Sequence, residues 1–524
     1  MQNIYRLWMG ATVAVMAVCL SSCKKSFLNY TPQGQLSETV VADSAGVAQL
    51  LIGAYADLYA NYDPGAPWNS SPDNWLYGSG NAIDAHGASF SVTATNSSFD
   101  DKWHADYDGV TRCNNTLKAV ALARDMSPSA VANTIAQARF LRGYYYFDLK
   151  KMFNMVPWID ETTTDFNQPN DKDIWPMIEL DFLCGVDSLP PTQPDAGRAN
   201  SWAAKAFLAK AYLYEHKYTQ AKTLFDDIIP NGTTPGGIRY GLSEQFEWNF
   251  LPEKEATSPE AVFSINMAAN VGNGNISSAN QGDMLCFPIN SPFGCCGNFD
   301  PTLDLGNSYR TDYNGLPYLD TYNQHPLATD LTLLSNQPFT PDTGYLDPRI
   351  DWTIGRRGLP FKDWGIEPGA NWDLNRTVVG PYHDLKDIYM QATANAYHDG
   401  ESWAPGSAIN YHVIGFNDVL LMAAECEAQV GSLDQAEAYV NMIRNRAANP
   451  AGFVFTYADN SNPLAGFTTT PAANYHIGPY PPGAFTSQAY ALKAIYFERK
   501  LELAMEGHRI FDLVRWGIFS QEQQ

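Results

Sequence analysis

Near the C-terminal end, residues 498–517 read ERKLELAMEGHRIFDLVRWG, with three glutamates, an aspartate, a histidine and three arginines. Carboxylates beside a histidine are what general acid and base chemistry requires. The spacing points elsewhere. At 100° per residue, Glu498, Glu502, Glu506, Arg509 and Asp512 fall near one stripe, while Tyr496, Leu503, Ala504, Ile510, Phe511 and Val514 lie mostly opposite. That pattern predicts one amphipathic helix with its charges along the solvent face. Glu506 with Arg509 and Asp512 with Arg515 would then pair at three-residue steps, each exposed pair contributing roughly 0.2–0.5 kcal/mol. Gly507 would sit mid-helix at a cost of about 0.5–1 kcal/mol, offset by close packing. No nucleophile and no metal-ligand pattern accompanies His508, so the stretch is expected to brace the fold. The chain has no GxSxG elbow, HExxH, P-loop or EF-hand loop, and no cofactor motif or metal site is predicted.

A second group of candidates is aromatic. The 524 residues are 45% hydrophobic, 17% charged and 13% aromatic, with 29 Tyr and 13 Trp among 39 Gly and 33 Pro. Many of these rings fall in stretches with little periodicity: 61–100, 230–412 and 450–485. The middle one holds Trp248, Tyr309, Tyr313, Tyr318, Tyr322, Trp352, Trp364, Trp372, Tyr382 and Trp403. Disordered segments are poor in aromatics, so these are expected to be ordered loops, and long ordered loops usually carry function. The net charge of −23 gives no field to attract phosphate backbones, which argues against a nucleic-acid partner.

The N-terminus carries Arg6, an apolar run from Leu7 to Leu20 too short for a membrane span, and then LSSC. This fits an export signal over residues 1–22. Leu20, Ser21, Ser22 and Cys23 resemble a bacterial lipobox, which implies that Cys23 takes the lipid and becomes the new N-terminus; Lys24 rather than Asp follows it. Six further cysteines, Cys113, Cys184, Cys286, Cys295, Cys296 and Cys426, form no CxxC pair or Cys/His cluster of a metal site. Cys286 could close a local loop with Cys295 or Cys296, in a compartment that permits disulfides.

The elements that must position these residues are helical. Residues 41–60, with Val47, Leu50, Leu51, Ala54 and Leu58 at three- and four-residue steps, predict one amphipathic helix. Residues 103–123 and 131–153 predict a helix pair, with Phe140, Tyr144, Phe147 and Met152 near one face. Residues 203–229 and 417–443 each predict helix, short turn, helix. Leu208, Ala209, Tyr212, Ala221, Phe225 and Ile228 in the first, and Ala424, Ala436, Val440 and Ile443 more weakly in the second, fall at tetratricopeptide spacings. Such units must stack to bury their apolar faces.

The C-terminal stretch also resembles the signature of the SusD/RagB family of outer-membrane nutrient-binding lipoproteins, roughly ER-x-x-E-L-x-x-E-G-x-R-x-x-D-L-x-R-W. Glu498, Arg499, Glu502, Leu503, Glu506, Gly507, Arg509, Asp512, Leu513, Arg515 and Trp516 occupy its positions. FLNYTPQGQLSE (27–38), ARFLRGYYYFDLKKMFNMVP (138–157), LDPR (346–349), NDVLLMAAE (417–425) and NMIRNRA (441–447) resemble further family blocks in the same order. Two departures stand out. Gly415 lies near the place of a usual arginine, which implies a missing buried ion pair, and the chain stops at Gln524 before the family's closing segment, which implies truncation there.

The resemblance implies a mainly α fold: a tetratricopeptide-like helical repeat scaffold, SusD-like, with long irregular loop insertions. Residues 23–524 would form a single domain, with scaffold at 41–60, 103–153, 203–229, 417–447 and 488–517 and ligand-facing loops at 61–100 and 230–412. It implies a non-enzymatic, surface-exposed lipoprotein of the outer membrane that captures oligo- or polysaccharide for a SusC-like TonB-dependent transporter. Within SPDNWLYGSG, Trp75 and Tyr77 are the first candidates for stacking on sugar faces, with Asp73, Asn74 and Asn81 as hydroxyl partners; Tyr313, Tyr318 and Trp372 follow. The alternatives are a secreted glycoside hydrolase, which needs two carboxylates about 5 or 6.5–9.5 Å apart, a binder of some other nutrient, and a structural repeat adaptor.

Overall fold

The computed structural model describes residues 42–59, 97–272, 279, 286–294, 297, 300–373, 376–401 and 406–522. The predicted signal segment, Cys23, Cys295 and Cys296, and the candidates Asp73, Asn74, Trp75, Tyr77 and Asn81 lie outside the described residues. No helix among the described residues is long and apolar enough to cross a membrane.

Helices stack in chain order. α1 (Ser44–Ala56), α2 (Ser97–Leu122), α3 (Pro128–Phe153), α4 (Trp175–Ser188), α5 (Ser201–Tyr214) and α6 (Tyr218–Asn231) each pack on the next. Side-chain caps start several of them: Asp43 accepts from Gly46 N, Ser127 from Ala130 N just before Pro128, and Asn200 from Ala203 N. After α6 the chain leaves for a long insertion and returns through an antiparallel pair, β1 (Ala261–Ile265) with β2 (Tyr411–Gly415). α7 (Phe416–Val430) then packs on α6, and α8 (Leu433–Ala447) and α9 (Gln488–Glu502) pack on α7. The stack therefore continues across an excursion of some 180 residues as though it were absent. Phe140, Phe182, Phe207, Phe225, Leu420 and Ile443 belong to its main core, and Val47, Ala119, Val120 and Ala123 form a smaller one between α1 and α2.

Most predicted helices are present, with differences that have physical causes. α3 is buried on every side from Phe140 to Lys150, with Met152 only half-buried, because neighbours pack around it. α4 was not expected. Its buried face carries Asp181, which pairs with Arg139 and Arg142 at 2.7 Å, while Leu180 and Leu183 are exposed, so its apolar pattern is scrambled.

The predicted single helix over 488–517 is corrected. α9 ends at Glu502; Met505 and Gly507 take positive φ (64° and 73°), and a separate helix, α10 (Arg509–Arg515), folds back. Gly507 thus serves a reversal that its lack of Cβ permits, rather than costing stability in mid-helix. Along a straight helix Arg499 and Asp512 would lie about 20 Å apart; here they meet at 2.8 Å. The charges are interior rather than solvated: Glu498 and Glu502 are fully buried and Arg499, Asp512 and Arg515 nearly so.

These charges form two alternating chains around α9. In one, Arg349 of LDPR pairs with Asp347 and Glu498 (both 2.7 Å) and Glu502 (2.9 Å); Arg444 meets Glu498 at 2.9 Å, and Arg446 joins Glu502 to Glu260. In the other, Lys210 and Arg499 share Asp418 (3.0 and 2.7 Å), Arg499 and Arg515 share Asp512, and Arg515 holds Glu425 with two bonds of 2.7 Å. Gly415 contributes no side chain, and Asn417 Nδ2 donates to Glu502 instead, at 2.9 Å. Glu506 reaches Lys386.

Against desolvation, Arg446 and Arg349 hold the Glu502 carboxyl down from 4.5 to about 2. A depressed folded-state value contributes stability that is present above the unfolded value and lost as pH falls through the folded one. Acid titration followed by circular dichroism should therefore show loss of structure between about pH 4.5 and 2. Glu502→Gln strands two buried guanidiniums and should lower unfolding free energy by about 3–5 kcal/mol in denaturant titration; Asp512→Asn should lower the melting temperature in the same sense.

Candidate functional site

The insertion has cores of its own, and they claim most of its large rings. Trp372 is buried, 5.2 Å edge-on to Phe361, in a cluster with Phe287, Leu385 and Tyr389. It offers no open face, so its placement among the ligand candidates is corrected to core. Trp364 and Trp352 are partly buried and donate to the carbonyls of Tyr389 and Gly452. Apolar area drives these rings inward wherever other loops can cover them.

Tyr313 and Tyr318 behave differently. Tyr313 is 78% exposed, the most exposed large apolar side chain among the described residues. Beside it Tyr345, 43% exposed, lies against His476 at 4.7 Å, and His476 Nε2 is 2.9 Å from the Tyr313 carbonyl oxygen. Tyr318 stacks on His325 at 3.9 Å and 22°. Tyr345, His325 and His476 had no sequence signal: a local turn lays His325 on Tyr318, and bridges between distant segments, Arg310 with Leu346 and Leu346 with Tyr475, bring Tyr345 and His476 towards Tyr313.

The frame beneath these rings is tied down. Arg310 donates to both Asp342 oxygens at 2.7 Å and to the carbonyls of His325 and Pro326. Thr311 N donates to the Tyr345 carbonyl and its hydroxyl to that of His476. Against desolvation, Arg310 and the amides of Ala328 and Gly344 hold Asp342 at about 2. Arg444 donates to the carbonyls of Gly315 and Gly478, fixing both segments to the buried charge chain at Glu498.

Other constellations lack catalytic character. Ser264 Oγ lies 2.8 Å from His412 Nδ1, a nucleophile beside a base, yet burial pushes His412 down to about 4, despite the Asn249 carbonyl, leaving a poor base at neutral pH. His508, the histidine of the C-terminal motif, is pushed down to about 3 by desolvation and the Lys210 charge. Ligand-type atoms of the buried Cys286, Asp384 and Asp387 lie within 4.8 Å of one another. Lys362, buried in their field and pushed down to about 8 by desolvation, already brings positive charge there. His383 is held protonated, at about 10 despite desolvation, by Asp300 and Glu367.

A stacked-helix scaffold that displays open aromatic faces on a braced frame defines a binding protein. The chain belongs to the SusD family: that family's model matches residues 259–524, and a second, described as starch-binding and associating with the outer membrane, matches residues 26–213. Proteins of this family are non-catalytic binding proteins. A SusD-like protein of Bacteroides ovatus is 31% identical over 213 residues, which is 38% of this chain and 38% of that relative. SusD-like protein P25 of Formosa agariphila is 25% identical over 523 residues, 95% of this chain and 87% of its own. A SusD-like carbohydrate binding protein from Bacteroides fragilis shares the fold at a TM-score of 0.67 and 21% identity, over 92% of this chain and 88% of its own.

Arg310→Ala should speed amide hydrogen exchange across residues 311–346 while α7, α8 and α9 stay protected. Unchanged exchange in 311–346 would show that the ring frame does not depend on this guanidinium.

Proposed function

We propose that the protein is a cell-surface lipoprotein that captures oligo- or polysaccharide and delivers it to a SusC-like TonB-dependent transporter in the outer membrane. The observation that carries the reading is the open aromatic surface of Tyr313 and Tyr345, with Tyr318 on the same frame. Pyranose rings present apolar C–H faces that stack on such rings, and a frame already ordered in the free protein avoids the entropy of arranging it on binding. The carbohydrate-binding description of the Bacteroides fragilis relative agrees with this. Asp73, Asn74, Trp75, Tyr77 and Asn81 are proposed to add a second bank of contacts from the loop after α1. Cys23 is proposed as the lipid anchor, which a chain of net charge −23 would need to stay on a membrane.

Each stacked ring should contribute on the order of 1–2 kcal/mol. The double variant Tyr313→Ala, Tyr345→Ala should therefore weaken binding of the recognised glycan at least about tenfold by calorimetry, with a near-native melting temperature because both side chains are exposed. Trp75→Ala should act in the same direction. Unchanged affinity in both variants would remove the aromatic reading, and release of reducing ends from a polysaccharide panel would favour the hydrolase instead. Cys23→Ala should release the protein from the outer-membrane fraction, and continued membrane retention of that variant would reject the anchor.

A further inference from the structure

His476 lies where three distant segments meet beneath the exposed rings. Leu346 bridges Arg310 on one side and Tyr475 on the other, so short pieces of the chain around Arg310, Leu346 and Tyr475 run side by side. His476 N donates to the Leu346 carbonyl at 2.8 Å, and the His476 carbonyl accepts from Thr311 Oγ1 at 2.7 Å. The backbone of His476 is thereby fixed against both neighbouring segments, which gives its ring a defined origin.

Tyr313 sits at the tip of a turn that leaves this small ladder. Asp312 N donates to the Leu316 carbonyl at 2.8 Å, and Asp312 Oδ1 accepts from the amides of Asn314 and Leu316 at 2.8 and 2.9 Å. Gly315 takes φ +77°, and a Cβ there would run into the backbone at Ile477 and Gly478, so the turn passes that segment at a place only glycine admits. Other long-range bonds end on either side of Tyr313: Thr311 N donates to the Tyr345 carbonyl, and the Gly315 carbonyl accepts from Gly478 N and Arg444. The His476 ring reaches Tyr313 itself, with Nε2 at 2.9 Å from the carbonyl oxygen. A carbonyl only accepts, so Nε2 carries the hydrogen and donates it. The same ring lies against Tyr345, 4.7 Å between centres and inclined at 40°.

We infer that His476 is the positioning residue of the surface proposed to bind glycan: its N–H holds the Tyr313 turn and its ring seats Tyr345, so affinity depends on this histidine through the two tyrosines rather than through contact with the ligand. The inference rests on the glycan-binding reading and deepens it. An exposed loop tip is ordinarily mobile, and a ring carried on a mobile tip must be ordered when ligand binds, at the expense of affinity. Histidine suits the place because it supplies a donor and a flat ring together. Phenylalanine would keep the ring without the donor, glutamine would keep a donor at the same number of bonds from Cα as Nε2, and the asparagine amide would stop a bond short.

The test compares the wild-type chain with His476→Phe, His476→Gln and His476→Asn. Soluble starch, laminarin, xyloglucan and galactan are screened in affinity gels, and the polysaccharide that retards the wild type most is carried into calorimetry. His476→Phe and His476→Asn should each weaken binding about five- to tenfold, the scale of one lost hydrogen bond, while His476→Gln should stay within about threefold of wild type. Amide hydrogen exchange at residues 312–316 should quicken in the Phe and Asn variants and not in the Gln variant, with α7, α8 and α9 protected in all. His476 is half-buried, so near-native melting temperatures are expected. Wild-type affinity in the Phe and Asn variants would overturn the positioning role and leave the glycan reading standing. So would equal losses in all three variants with exchange at 312–316 unchanged, a pattern that would put the imidazole on the ligand itself. A wild-type chain retarded by none of the polysaccharides would overturn the glycan reading and this inference with it.

Discussion

The structure depends on the burial of alternating charge on both sides of α9. Glu498 and Glu502 have no exposed surface, and neither do Asp418 and Glu425 opposite them. Desolvating so many ions is tolerable only when every carboxylate meets its cations at bonding distance, because an isolated buried charge costs several kcal/mol. Glu502 has Arg349 and Arg446, Glu498 has Arg349 and Arg444, Asp418 has Lys210 and Arg499, and Asp512 has Arg499 and Arg515. These pairs draw on six stretches of chain: α5, the LDPR segment, α7, α8, α9 and α10. No subset of these segments can dock without leaving a charge unpaired, so the arrangement is specified as one unit. Such a network favours a unique geometry more than it favours raw stability.

The surface proposed to bind glycan inherits that constraint. Arg444 answers Glu498 with one nitrogen and holds the Gly315 and Gly478 carbonyls with its others, so the loops bearing Tyr313 and His476 are attached to the charge network. Asp347 and Arg349 anchor the end of the segment that carries Tyr345. Irregular loops with no ladder of backbone hydrogen bonds are ordinarily mobile. Here side-chain bonds into a charged interior replace the ladder, and the rings are presented already arranged. The insertion can therefore be almost free of regular structure and still display fixed chemistry.

The distribution of charge divides the molecule by task. A strongly acidic composition repels polyanions, and the interior spends its arginines on internal carboxylates. The Ser264–His412 pair shows why residue types alone do not make an active site: the contact is right, but the environment removes the base.

Periodicity by itself determined the helices whose apolar faces are clean, such as Ala221, Phe225 and Ile228 on α6, and the motif residues by themselves determined the family, since their order along the chain needs no coordinates. The region 230–412 was recognisable as loop-rich and aromatic for the same reason. What pattern could not decide was which side of an element faces inward when the inward side is polar. A stripe of Glu498, Glu502 and Asp512 looks solvated in a helical projection, and Asp181 hides α4, because hydrophobic pattern assumes that charge means water. Pairing partners on other segments, 39 residues away for Asp181 and 153 for Glu502, reverse that assumption, and only the tertiary structure supplies them. The aromatic candidates divide for the same reason: Trp372 and Tyr313 sit in similar Gly- and Asn-rich sequence, but distant segments happen to cover the one and leave the other open, and coverage is a property of the assembled fold.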